Sequence, residues 1–213
     1  MNPTTTPKAL LLLTLIWLFG LLLSGYAPYD RPTWFLEVAP ALIVLPALWL
    51  TKDRFEFTAL VYALITLHGL ILMLGGAYTY ARVPLGFWMQ DWFDWARNDY
   101  DKIGHFAQGF VPAMVARELL IRVGQIKPGR LLAFLVVCIC LAISAFYELV
   151  EWWSALLLGS GADEFLGTQG DPWDTQSDMF FALIGALCAL ILLSRLHQRA
   201  IFKIKTVKET RHV

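Results

Sequence analysis

The chain has 213 residues, of which 58% are hydrophobic and only 16% charged. Its mean hydropathy is +0.58, whereas soluble domains are roughly 45–50% apolar, so an ordinary soluble globule is excluded. Lys+Arg 17 balance Asp+Glu 17, which leaves no basic field for nucleic acid; the expected partners are membrane lipids. The three cysteines, Cys138, Cys140 and Cys188, lie in apolar runs without a CxxC pair and read as small hydrophobes, not as thiolate metal ligands or disulfides.

A membrane span needs about 20 mostly apolar residues. Six stretches qualify, at 9–23, 34–50, 55–74, 103–121, 131–153 and 179–196. The first is short and exits through Ser24-Gly25, as a signal peptide would. Its leading segment carries only Lys8, and an anchored helix gives the even span count that the charges favour. With the N-terminus in the cytoplasm, Arg31, Arg82, Arg97 and Lys102 fall on outer connections and every other Lys and Arg falls inside. That bias predicts a multi-pass membrane protein with both termini cytoplasmic.

Between the third and fourth spans, Trp88, Trp92 and Trp95 recur at i, i+4, i+7, and Asp91, Asp94 and Asn98 at i, i+3, i+7. This predicts an amphipathic helix over about 86–98, lying in the headgroup region. The connection from Gly159 to Asp174 holds Asp163, Glu164, Asp171 and Asp174 and no cation. It is long enough to cap a pocket. The fold class is therefore all-α: one polytopic domain over 1–213, a six-transmembrane-helix bundle with an interfacial helix.

The candidate site residues are ionisable groups inside or at the mouths of these apolar stretches, where a charge costs roughly 2.5–3.5 kcal/mol at the helix centre. Asp101 and His105 are i, i+4 on the fourth span and share a helix face. A helix cap also explains Asp101, and a satisfied core histidine explains His105. In the fifth span Glu148 comes about 26 Å after Leu131, and Glu151 follows at i+3 on the same face. Asp174 and Asp178 are i, i+4 at the opening of the sixth span, where Thr175 and Asp178 also match a capping-box-like pattern. His68 lies seven residues short of the end of the third span. Alone, it reads as a helix–helix hydrogen bond.

Shared depth ties these residues together. His68, His105, Glu148 and Asp178 fall within roughly two helical turns of the outer surface. Imidazoles and carboxylates in that number suit Zn²⁺, Mn²⁺ or Mg²⁺, with an open position that activates water or polarises an oxygen. The expected metal ligands are His105, Glu148 and Asp178, with Asp101 and His68 completing the shell. Glu151 or Asp174 is the expected general base.

At the same residues the chain resembles a known family. DKIGHFAQGF (Asp101 to Phe110), YELVEWW (Tyr147 to Trp153) and GDPWDTQSDM (Gly170 to Met179) resemble the YjdF family of bacterial inner-membrane proteins. That resemblance implies six-helix membrane architecture and no particular activity. A weaker similarity reaches the VanZ-like proteins through Asp101, His105, Glu148 and Asp178. The Gln that often follows the VanZ-like Glu is missing, since Leu149, Val150 and Glu151 follow Glu148, so drug resistance is not transferred. Three functions fit the cluster. The leading one is a metal-dependent enzyme on a lipid or lipid-linked head group. The others are a proton- or cation-coupled carrier or channel, whose only inner step is Glu118, and a non-catalytic factor in which the cluster locks helices.

Overall fold

Helix α1 (Lys8–Tyr26) is apolar on every side, and it turns Leu10, Leu13 and Trp17 inward while Leu15, Phe19 and Leu22 stay exposed. A helix apolar all round is either buried or immersed in lipid; here half its surface faces out. The structure is a computed structural model describing the backbone of residues 7–159 and 163–210 and the side chains of 7–159 and 165–204. Asp163 and Glu164 of the acidic connection, and Lys205, Lys208 and Arg211 of the basic tail, lie outside the described side chains.

Local chemistry sets the following helices. Asp30 caps α2 (Arg31–Thr51), its Oδ2 accepting from the Thr33 amide at 2.8 Å. Thr58 caps α3 (Ala59–Tyr78), which stops at Thr79 with φ 60. A single 3₁₀ turn (Tyr80–Arg82) leads into α4 (Pro84–Phe93), which ends where Asp94 turns left-handed at φ 55. The rest of the chain forms α5 (Tyr100–Arg122), α6 (Arg130–Leu158), the short α7 (Asp163–Leu166) and α8 (Asp174–Thr210).

Every regular element among the described residues is helical. Five helices, α1, α2, α3, α6 and α8, are long and apolar enough to cross a membrane. The stretch expected as the fourth span is helical, as the 23-residue α5. It is long enough, but Asp101, Lys102, His105, Arg117, Glu118 and Arg122 make it more polar than the other five. α8 runs well past the expected end at Leu196, because Arg195 and Arg199 end apolarity without ending the helix.

The amphipathic helix before α5 differs from expectation. It covers 84–93 rather than 86–98, with Phe87, Trp88, Trp92 and Phe93 exposed. Trp95 and Asn98 lie beyond its end. Asn98 is buried, donating from Nδ2 to the Val83 carbonyl at 3.0 Å and accepting at Oδ1 from the Tyr100 amide at 3.1 Å. Gly86 allows this, since a Cβ there would lie 1.7 Å from Asn98 Oδ1.

α5 is the axis of the bundle, packed on α3, α6 and, most extensively, α8. Small residues bring α5 and α8 together: Gly109 and Ala113 on one, Ala182, Gly185, Ala186 and Ala189 on the other. A Cβ on Gly109 would sit 1.8 Å from the Ala182 carbonyl oxygen, and one on Gly185 2.0 Å from that of Phe106. Close approach of this kind is how helices associate where lipid removes the hydrophobic drive.

A buried polar knot ties α3, α5 and α8 at the end away from His105. Glu118, fully buried, accepts from the Thr58 amide (3.0 Å) and hydroxyl (2.8 Å) and pairs with Arg122. Arg117 meets His197 Nδ1 at 3.1 Å, and His197 Nε2 lies 2.8 Å from Glu118. Arg117 can only donate. His197 therefore accepts at Nδ1 and donates from Nε2 to Glu118.

Candidate functional site

At the other end of α5, three helices aim acidic side chains at one imidazole. The chain reaches α5 through Asp99, whose side chain accepts no cap bond, and Asp101 follows in the first turn of the helix. Asp101 Oδ1 lies 3.4 Å from His105 Nε2. From α8, Asp178 Oδ2 lies 3.8 Å from the same nitrogen. From α6, Glu148 Oε1 lies 4.0 Å from His105 Nδ1. Two overlapping sets of ligand atoms each fall within 4.8 Å of one another: Asp101, His105 and Asp178, and His105, Glu148 and Glu151.

Helix packing makes this convergence. Gly109 and Gly185 pull α8 against α5 one turn below His105, which brings Asp178 across from Asp101. Asp178 does not act as a cap: it stands one turn inside α8, is 1% exposed, and its Oδ1 has no hydrogen-bond partner. Six buried side-chain polar atoms lack a partner among the described residues, and half of them lie here: Asp178 Oδ1, Glu148 Oε1 and His68 Nε2. Buried polar atoms are ordinarily satisfied. Such a concentration beside one histidine marks a site shaped for something with positive or donor character.

Gln108 completes the imidazole. Its Oε1 lies 3.2 Å from His105 Nδ1, one turn along α5. If Nδ1–H donates to this oxygen, the Nε2 lone pair is left facing Asp101 and Asp178. A second hydrogen bond that fixes tautomer and ring orientation is the usual companion of a metal-ligating histidine.

His68 does not touch this cluster by any hydrogen bond, but it lines the same cavity as His105, Asp101 and Glu151. Asp174 is placed differently. Its Oδ1 accepts from Arg97 Nη2 at 2.8 Å, and Arg97 also holds Asp99 (3.0 Å), Asp171 (3.2 Å) and the Thr168 carbonyl (2.6 Å). Burial alone would lower the Arg97 guanidinium, but its bond to Asp174 and the charges of Asp174, Asp99 and Asp171 hold it above its ordinary value. Arg97 thus clamps the connection before α5 to the one before α8, with Asp174 as part of the clamp.

Glu37 is the residue that sequence reasoning missed. It comes from α2, is 5% exposed, and its Oε2 accepts from the Tyr147 hydroxyl at 3.2 Å. Both side chains line the cavity with His105 and Glu151. The signal was available, because Glu37 is an acidic residue inside an apolar span at the depth of the others. Its place one turn from Trp34 lets it pass for a solvated helix end.

Residues 9–199 match the family described as "Predicted membrane protein (DUF2238)". The chain is 53% identical over 199 residues, 93% of each chain, to the inner membrane protein YjdF of Escherichia coli (strain K12). No solved structure matches it.

Proposed function

The chain belongs to the DUF2238 family of membrane proteins, and from that premise we propose that it is a divalent-metal-dependent inner-membrane enzyme acting on the head group of a lipid or lipid-linked substrate. In this reading α5 crosses the membrane as the fourth of six spans, both termini are cytoplasmic and the His105 end faces the periplasm, as the distribution of Lys and Arg favours. α4, with Trp88 and Trp92 outward, lies at the periplasmic interface beside the site.

One observation carries the proposal: His105 sits between carboxylates of three helices, with ligand atoms within 4.8 Å in each set and with unpartnered oxygens on Glu148 and Asp178. Asp101, His105 Nε2 and Asp178 form the cation site. Two carboxylates and an imidazole suit Zn²⁺ or Mn²⁺, or Mg²⁺ with added water. A cation held by these three side chains would supply Lewis acidity to a head-group oxygen and to an attacking water. Glu151 shares the cavity wall with Asp101 and His105 and takes the proton released by that water, returning it to the leaving group. Glu148 holds the far side of the imidazole, and His68 and Glu37 line the substrate side. Asp174, already engaged by Arg97, serves the clamp rather than the proton transfer.

The test is metal content. Purified full-length protein should carry about one divalent ion per chain, and His105→Ala should lose it. Equal, near-zero occupancy in both, after exposure to Zn²⁺, Mn²⁺ and Mg²⁺, removes the reading.

A further inference from the structure

The cavity beside His105 is longer than a metal site needs. It has a volume of about 350 Å³ and runs between α2 and α5, bounded by α3 and α6. Its walls change character along its length. Glu37, His68, Asp101, His105 and Glu151 crowd one end; Val44, Leu48, Phe57 and Val115 close the other. From Glu37 to Leu48 is roughly 16 Å of helix, and His105 to Val115 is roughly 15 Å. The polar groups therefore lie level with one another, and the apolar floor lies level with itself.

Helix chemistry keeps this space open. α2 packs on α1 and α3 and makes no extensive contact with α5 or α6. Pro40 of α2 and Pro112 of α5 both face the cavity. Each removes a backbone donor and crowds the preceding turn of its own helix, and their rings form part of the cavity wall. An elongated space of this volume, walled by apolar side chains over most of its length, has room for a hydrocarbon chain. Ile143, 41% exposed, stands at the α6 edge of the cavity and gives the opening an apolar sill toward lipid.

We propose that this cavity binds the hydrocarbon chain of a single-chain membrane amphiphile, tail toward Leu48, Phe57 and Val115 and polar head at His105. The proposal rests on the metal-dependent reading of the site and names its substrate class: a single-chain amphiphile whose head-group oxygens reach the cation. A polar end at one face and an apolar shaft below it match that molecule and match neither a free soluble metabolite nor an ion path. His68 Nε2, buried and unpartnered, is a donor or acceptor at the level where chain meets head.

The experiment uses the full chain in phosphatidylcholine nanodiscs with a monoacyl glycerophosphate probe whose chain ends in a diazirine. After illumination, adducts should concentrate on Leu48, Phe57 and Val115. Val44→Trp fills the shaft and should cut the adduct yield about tenfold without changing the metal stoichiometry measured on the same sample. Val115→Phe provides a second plug should the first fail to fold, as judged by circular dichroism. Adducts spread over the outward face of α1, at Leu15, Phe19 and Leu22, and unchanged in the plugged variants, overturn the proposal. Displacement of the probe by glycerophosphate lacking a chain, with none by an unlabelled monoacyl glycerophosphate, also overturns it. Floor labelling without bound metal sinks the metal reading and leaves the chain site standing, whereas metal without floor labelling does the reverse.

Discussion

At the residue scale, the site depends on how one imidazole is held. Gln108 Oε1 at 3.2 Å orients His105 through Nδ1, so Gln108→Leu should weaken metal affinity about 10–100-fold with the fold intact; isothermal titration in detergent against circular dichroism separates the two. Unchanged affinity would mean that Gln108 does not set the ring. The ligands must be deprotonated to bind, so occupancy should fall as the medium is acidified. Arg97 invites an opposite expectation. Arg97→Ala removes several hydrogen bonds to charged groups and should lower stability by about 2–3 kcal/mol, seen as an earlier thermal transition, while leaving the His105 ligands in place. The meeting of His105, Glu148, Glu151 and Asp178 in one place was legible from sequence because ionisable groups stand out in apolar helices. Glu37 was not, since acidity close to a span's end reads as solvation. The role of Asp174 was hidden too: its partner Arg97 lies 77 positions away, and only the fold brings them together.

At the element scale, the α5–α8 seam positions the site. Gly109→Val should drive α8 off α5, because a Cβ already meets the Ala182 carbonyl at 1.8 Å. The expected result is loss of metal binding together with a lowered unfolding temperature. Gly129→Ala, at a position with open space around it, should change neither, and equal behaviour of the two variants would contradict the seam's role. The helices themselves were legible from hydropathy, and their ends shifted by a few residues where caps decide: Asp30 and Thr58 start α2 and α3. The seam was only half legible: Gly109 and Ala113, Ala182 and Ala186, and Gly185 and Ala189 are each small pairs at i, i+4, but nothing in the sequence pairs the one helix with the other. The extent of α4 was misread for a related reason. The Trp and Asp periodicity continues past Phe93, but Asp94 turns the backbone left-handed and Asn98 is drawn inward.

At the scale of the whole molecule, the bundle has two unlike ends joined by an apolar interior. The His105 end holds clustered acids with unpartnered oxygens. The Glu118 end is a satisfied knot in which Thr58, Arg117, Arg122 and His197 use their hydrogen bonds on one another. His197→Ala removes a partner from that knot and should cost about 2–3 kcal/mol, read as a lower midpoint of unfolding in detergent, with metal content unaffected. Between the ends lie residues such as Val111, Met114 and Val115, which offer no relay for protons. The most direct measurement is anomalous scattering from crystals grown with Zn²⁺ or Mn²⁺. A single strong peak among Asp101, His105 and Asp178 is the predicted result. No peak there, with His105 bonded only to protein groups, would contradict the account.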